Sequence, residues 1–154
     1  MRARTFLLIL IFNQILVSCK NEGAYAYCED FTAYLTQELQ VDNLEGENIY
    51  FLLPINGCDN CIKLNIGLLS STKYNVQLIL VGETFDTERV LQIQNLYDLY
   101  DNILVDDKFV ISQYETGFSK PMIVDMKDGK CIYHLNISDF KIEEAKMYLD
   151  KRAL

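Results

Sequence analysis

Positive charge is scarce in this sequence. Its 154 residues carry 14 Lys and Arg against 22 Asp and Glu, a net charge of −8. A chain this acidic lacks the clustered cations that nucleic-acid binding demands, and it gains nothing from docking electrostatically on anionic lipid. Tryptophan is absent and histidine occurs once, at His134. No internal repeat and no low-complexity tract is present, so repeat architectures are excluded. No apolar run spans a bilayer comfortably; the longest, residues 6 to 17, is too short. What remains is a chain of single-domain length, 50% hydrophobic, able to build a core without relying on disulfides.

The N-terminus reads as a leader. Arg2 and Arg4 precede the apolar run, which ends in Leu16-Val17-Ser18-Cys19. Charge, apolar stretch and small residues in that order make a secretory signal. The tetrapeptide resembles a bacterial lipobox, which implies lipidation of Cys19. The expected division is a signal peptide over 1–18, a tether over 19–29 and a folded domain over 30–154. Lys20 follows Cys19, rather than the Asp associated with inner-membrane retention in some bacteria. The expected location is therefore the cell envelope, lipid-anchored, on the periplasmic face of the outer membrane. Outside the cytoplasm disulfides persist, so the five cysteines acquire interest.

Element order follows from periodicity. Phe31, Tyr34, Leu35 and Leu39 recur at helical spacing, and Ile49 to Leu53 is a buried-strand run closed by Pro54 and Gly57. A helix to about Ser71 buries Ile62, Ile66 and Leu69. A strand follows over 76–81, then a helix over 87–100 with Val90, Leu91, Leu96 and Leu99 as core candidates. A short strand covers 103–105. Met122 to Met126 and Lys130 to Leu135 are strands joined at Asp128-Gly129, a two-residue hairpin signal. Ser138 caps a last helix carrying Phe140, Ile142, Ala145 and Leu149. Early alternation of strand and helix implies parallel pairing, and the hairpin adds antiparallel strands. The expected fold is α/β, with a central mixed sheet of four to five strands between helices.

The chemistry sits at Asn56-Gly57-Cys58-Asp59-Asn60-Cys61, a strand-to-helix junction. Unpaired N–H groups and the dipole at a helix N-terminus favour a thiolate, the form that attacks disulfides. Two intervening residues on one helical turn bring the sulfurs within bonding distance. Asp59 should raise the Cys58 pKa a little, and Lys120 should oppose it if it faces the site. A zinc quartet from Cys58, Cys61, Cys131 and His134 is disfavoured, because residues three apart on a strand point to opposite faces. No metal and no cofactor is expected. Cys28 and Cys131 are either free and buried or paired with each other.

Two stretches resemble the thioredoxin-fold redoxin family, in its membrane-tethered thiol–disulfide oxidoreductase branch. One is strand-Gly57-Cys58-x-x-Cys61-helix. The other runs from Ile103-Leu104-Val105-Asp106-Asp107-Lys108 through Tyr114 and Pro121-Met122-Ile123-Val124-Asp125 to Asp128-Gly129-Lys130 and Tyr133. The resemblance implies that Cys58 is the nucleophile and Cys61 the resolving thiol. It implies a cis bond before Pro121, which with Lys120 orients the partner beside the sulfurs. The chain departs from the pattern in four places. Gly57 replaces an aromatic, Asp59-Asn60 replaces Gly-Pro, and Lys120 precedes the proline. Leu52 stands where a proton-transferring acid is usual. The implied partners are protein thiols or disulfides of the envelope. The alternative is a non-catalytic binding module with a locked disulfide. A peroxidase is disfavoured, because Ile55 stands where such enzymes place Thr.

Overall fold

The computed structural model describes residues 25–83 and 87–153. The leader, Cys19 and the start of the tether lie outside the described residues. Element order is α1 (Cys28–Ala33, running on as a π-helical turn to Glu38), β1 (Glu47–Pro54), α2 (Asp59–Ser71), β2 (Gln77–Val81) and α3 (Thr87–Leu99). Then come β3 (Ile103–Asp106), a 3-10 turn (Val110–Gln113), β4 (Met122–Lys127), β5 (Lys130–Asn136), a second 3-10 turn (Asp139–Lys141) and α4 (Ile142–Arg152).

The five strands lie in the order β3-β2-β1-β4-β5. β1, β2 and β3 are parallel, while β4 runs antiparallel to β1 and β5 antiparallel to β4. The mixed sheet expected from the sequence is therefore present, with β1 at its centre. β1 is apolar without interruption because both its faces are covered. Phe51 and Leu53 point to the side of α2, α3 and α4, where they meet Ile62, Ile66, Leu69, Ile93, Leu96, Ala145 and Leu149. Tyr50 and Leu52 point the other way, onto Phe31, Tyr34 and Leu35 of α1 and its continuation. Each such fully buried side chain contributes about 1.5–3 kcal/mol through water released from apolar surface.

Several expectations change. Val90, Leu91 and Phe140 are exposed at 44%, 66% and 99%. α3 turns the expected Leu96 to the sheet together with Ile93, with Tyr100 buried just beyond its end. Phe140 sits in a 3-10 turn ahead of α4, where the α-helical period does not apply. The Ser138 side chain makes no capping hydrogen bond there. Folding also begins before residue 30. Tyr25 is buried against Phe31 and His134, and α1 opens at Cys28, so part of the segment assigned to the tether is packed on the domain.

The largest correction concerns β5. The β4–β5 register shifts between Asp125 and Met126, so that Val124 opposes His134 while Met126 opposes Cys131. That bulge inserts one extra residue and resets the alternation of faces. Cys131 and His134 consequently share the α1 side of the sheet instead of pointing apart. Cys131 forms a disulfide with Cys28 across a separation of 103 residues. His134 lies against Tyr25, with ring centroids 4.8 Å apart.

Candidate active site

β1 delivers the site. Its last residues are held by β2, and the Ile55 N–H donates to the Val81 carbonyl at 2.9 Å. The chain then reverses through Asn56 and Gly57. Gly57 has φ +121°, and Gly82, at the end of β2, has φ +105°. A side chain is strained at either angle, and a Cβ on Gly82 would also lie 3.1 Å from the Asn56 amide. The two glycines let the turn close down over β2 and start α2 at the rim of the sheet.

Cys58 is the N-cap of α2. Its extended backbone (φ −61°, ψ 109°) turns the sulfur back over the first turn, where it accepts the Cys61 N–H at 3.4 Å. The sulfur thus occupies the place of a capping oxygen and receives one of the donors a helix start leaves unpaired. The Ile62 N–H closes the turn on the Cys58 carbonyl at 3.1 Å. Cys58 is exposed and Cys61 half-buried, and both thiols are free.

The two sulfurs titrate as a pair, in opposite directions. Cys58 is held below the ordinary thiol range, first by the Cys61 thiol, which donates to it, then by backbone N–H groups of Cys61 and Asn60. Cys61 is pushed up to about 12, by the Cys58 thiolate first, then by burial and by the Asp139 carboxylate. One thiolate forms readily at the surface, and it makes the second harder to form.

Sequence reasoning missed Asp139. It stands at the start of the 3-10 turn after β5, 78 positions beyond Cys61 in the chain. Its carboxylate accepts from the Asn60 amide at 2.9 Å, and its negative charge helps to raise the Cys61 pKa. The Asp139 carboxylate acts on both cysteines, raising the pKa of each. Asp59 instead lies 3.8 Å from Lys63, one turn along. The only sequence signal for Asp139 was its place at the start of the last helical segment.

Pro121 is buried and Lys120 exposed. Leu52 of β1 opposes Met122 of β4, which sets the residues before Met122 beside the end of β1 from which the cysteine turn departs. The expectation of a cis bond before Pro121 is not met: among the described residues every peptide bond is trans. Pro121 stands just ahead of β4, where no ladder N–H is asked of it, and its carbonyl accepts from the Ile137 N–H at 2.7 Å. A groove of about 440 Å³, lined by Pro54, Asn56, Val81, Gly82, Phe109 and Phe118 among others, opens at the same end of the sheet.

Among the described residues no three or more His, Cys, Asp and Glu side chains are grouped to hold a metal ion. The Cys131 sulfur is in any case committed to Cys28.

The strand order, the strand directions and a dithiol at the start of the helix after the central strand decide the architecture. The domain has a thioredoxin-like fold. No family model matches the chain, and no curated protein does. Among solved structures it is similar to a thioredoxin-like protein in its oxidized form, at 14% identity over 72% of this chain and 83% of that one, with a TM-score of 0.49. It is also similar to a secreted Mycobacterium tuberculosis disulfide oxidoreductase homologous to E. coli DsbE (12%, 70% and 84%, TM-score 0.46). A third is a thioredoxin-like protein from Porphyromonas gingivalis (14%, 74% and 80%, TM-score 0.41).

Proposed function

We propose that this chain is a thiol–disulfide oxidoreductase of the bacterial cell envelope, tethered by a lipid on Cys19. The observation that carries the reading is Cys58 itself, a solvent-facing sulfur at a helix start, whose pKa is lowered by the Cys61 thiol and by the backbone N–H groups of the turn it caps. The Cys58 thiolate attacks one sulfur of a partner's disulfide and releases the other as a thiolate. Cys61 then attacks Cys58 and closes the ring. The partner leaves with two thiols, and the pair leaves oxidised by two electrons. Run backwards, the same steps oxidise a partner. Pro121 and Lys120 border the approach, and the groove holding Phe109 and Phe118 offers apolar surface to an extended partner segment.

The envelope assignment draws on the leader and on the Cys28–Cys131 disulfide, a bond that survives in oxidising compartments. Free thiols at 58 and 61 favour the enzyme over the non-catalytic module. The test is turnover of a disulfide-bonded protein, such as insulin, by the full chain in detergent. Wild type is expected to reduce it under a dithiol reductant, and Cys58→Ser to do no better than reductant alone. Equal rates for the two would end the proposal. Radiolabelled fatty acid should enter wild type and not Cys19→Ala.

A further inference from the structure

Ring closure poses a problem that the Cys58 thiolate does not. The half-buried Cys61 must lose its proton as it attacks, and burial and neighbouring charge hold that proton on. β1 offers no base beneath it, since its residues on the α2 side, Phe51 and Leu53, are apolar and fully buried. Among the described residues two buried carboxylates stand elsewhere, and both are occupied. Asp106 accepts from Tyr34 and from the N–H groups of Val110 and Ile111. Asp125 accepts from Tyr148 and Arg152. Neither acts on the cysteines.

Resting on the oxidoreductase reading above, we infer that Asp139 is the proton acceptor for Cys61, and that Asn60 is the positioning residue that aims it. The Asp139 carboxylate acts on the Cys61 thiol and favours its protonated form while Cys58 carries the negative charge. One carboxylate oxygen, Oδ2, is fixed by the Asn60 amide at 2.9 Å, so the acid is tied to the helical turn that carries both sulfurs. This gives the second residue between the cysteines a task that a proline there would not perform, since proline has no side-chain amide.

The step balances as follows. Once Cys58 is in a mixed disulfide its negative charge is gone, and with it the strongest influence holding the proton on Cys61. The proton passes to the Asp139 carboxylate, and the Cys61 sulfur attacks the Cys58 sulfur. The Cys58–Cys61 bond forms as the bond to the partner breaks. The departing thiolate takes up a proton from the Asp139 acid or from water. Other ionisable groups on the elements packed here are Asp59 and Lys63 of α2, Lys141 of the same 3-10 turn, and Glu143 and Glu144 in the first turn of α4. The largest influences on Cys61 are Cys58, burial and Asp139.

The experiment uses the reduced full chain and dithiodipyridine, an uncharged disulfide whose released thione is followed optically. The first phase reports attack by Cys58, the second ring closure by Cys61. Asp139→Asn should slow the second phase at least tenfold near pH 7 without slowing the first, within the range general bases contribute. The deficit should shrink as pH rises, because hydroxide replaces the missing base. Asp139→Glu should recover part of the rate, and Asn60→Ala should slow the second phase less than Asp139→Asn does. Melting curves of the variants, matched to wild type, separate this from loss of fold. An unchanged second phase and pH profile in Asp139→Asn would overturn the inference and leave the oxidoreductase reading intact. A wild-type chain that shows no first phase would overturn both.

Discussion

Cys58 and Cys61 are three positions apart on a single helical turn, whereas Cys28 and Cys131 come from the two flanks of the folded chain. Both pairs lie partly open to solvent, so exposure alone does not tell them apart. Attachment does. The first pair sits at the free end of a helix, where donors are unsatisfied and one sulfur receives an N–H. The second joins α1 to the bulged strand β5, and closes a loop that holds β1 to β4 with α2 and α3. A short loop at a helix start costs little to open and close, so it suits exchange. A long loop between fixed elements removes much of the unfolded chain's freedom, so it suits stability. One fold thus uses the same chemical group for turnover at one end of the sheet and for fastening on its α1 face.

The sharpest way to break that comparison is to exchange the effects. Cys58→Ser should take exchange to background while leaving the denaturation midpoint nearly unchanged. Cys28→Ala with Cys131→Ala should do the reverse, lowering stability by about 2–4 kcal/mol in urea titrations while sparing the exchange rate of the folded fraction. A double variant that lost activity while still folded would show that the staple belongs to the site.

Next in size is the closure of α4 on the sheet. Asp125 is fully buried on β4, and Arg152 reaches it at 2.9 Å while also lying 3.1 Å from Glu47. Arg152→Met should cost about 2 kcal/mol, less than a wholly buried pair because the Arg152 side chain is 26% exposed. Exchange at Cys58 should be unaffected. An unchanged urea midpoint would mean that this pair does not hold the helix.

The smallest effect sharpens the difference between the two free thiols. Alkylation of Cys58 follows its thiolate. Because the folded pKa is lowered, reactivity should persist below the ordinary thiol value of about 8.5 and vanish as pH falls through the folded value. Cys61, raised to about 12, should stay unreactive across that range. Peptide mapping after brief iodoacetamide treatment of the reduced chain at several pH values checks this. Equal labelling of both cysteines at neutral pH would contradict it.

The legible parts of the molecule were those set by local pattern. The apolar run of β1, the Cys58-x-x-Cys61 turn, the faces of α2 and the Asp128-Gly129 hairpin each follow from neighbours within a few residues. What stayed hidden depends on distant partners. The bulge in β5 arises from its fit to β4, and no residue in Lys130 to Leu135 announces it. Unbroken alternation along the strand would set Cys131 and His134 on opposite faces. Pairing of Cys28 with Cys131 needs that bulge as well as the position of α1. Asp139 reaches Asn60, between the two cysteines, only because β5 returns beside β4 and the 3-10 turn after it packs on α2. The proline region was legible as a position alone; the trans bond before Pro121 is a property of the assembled strand start.

The most direct test of the central claim is covalent trapping at one sulfur. Full-length Cys61→Ser, reduced and mixed with a disulfide-bonded protein, should accumulate a one-to-one mixed disulfide mapping to Cys58. Cys58→Ser treated alike should form none. An adduct at Cys61 in the second variant, or no adduct in the first, would contradict the account.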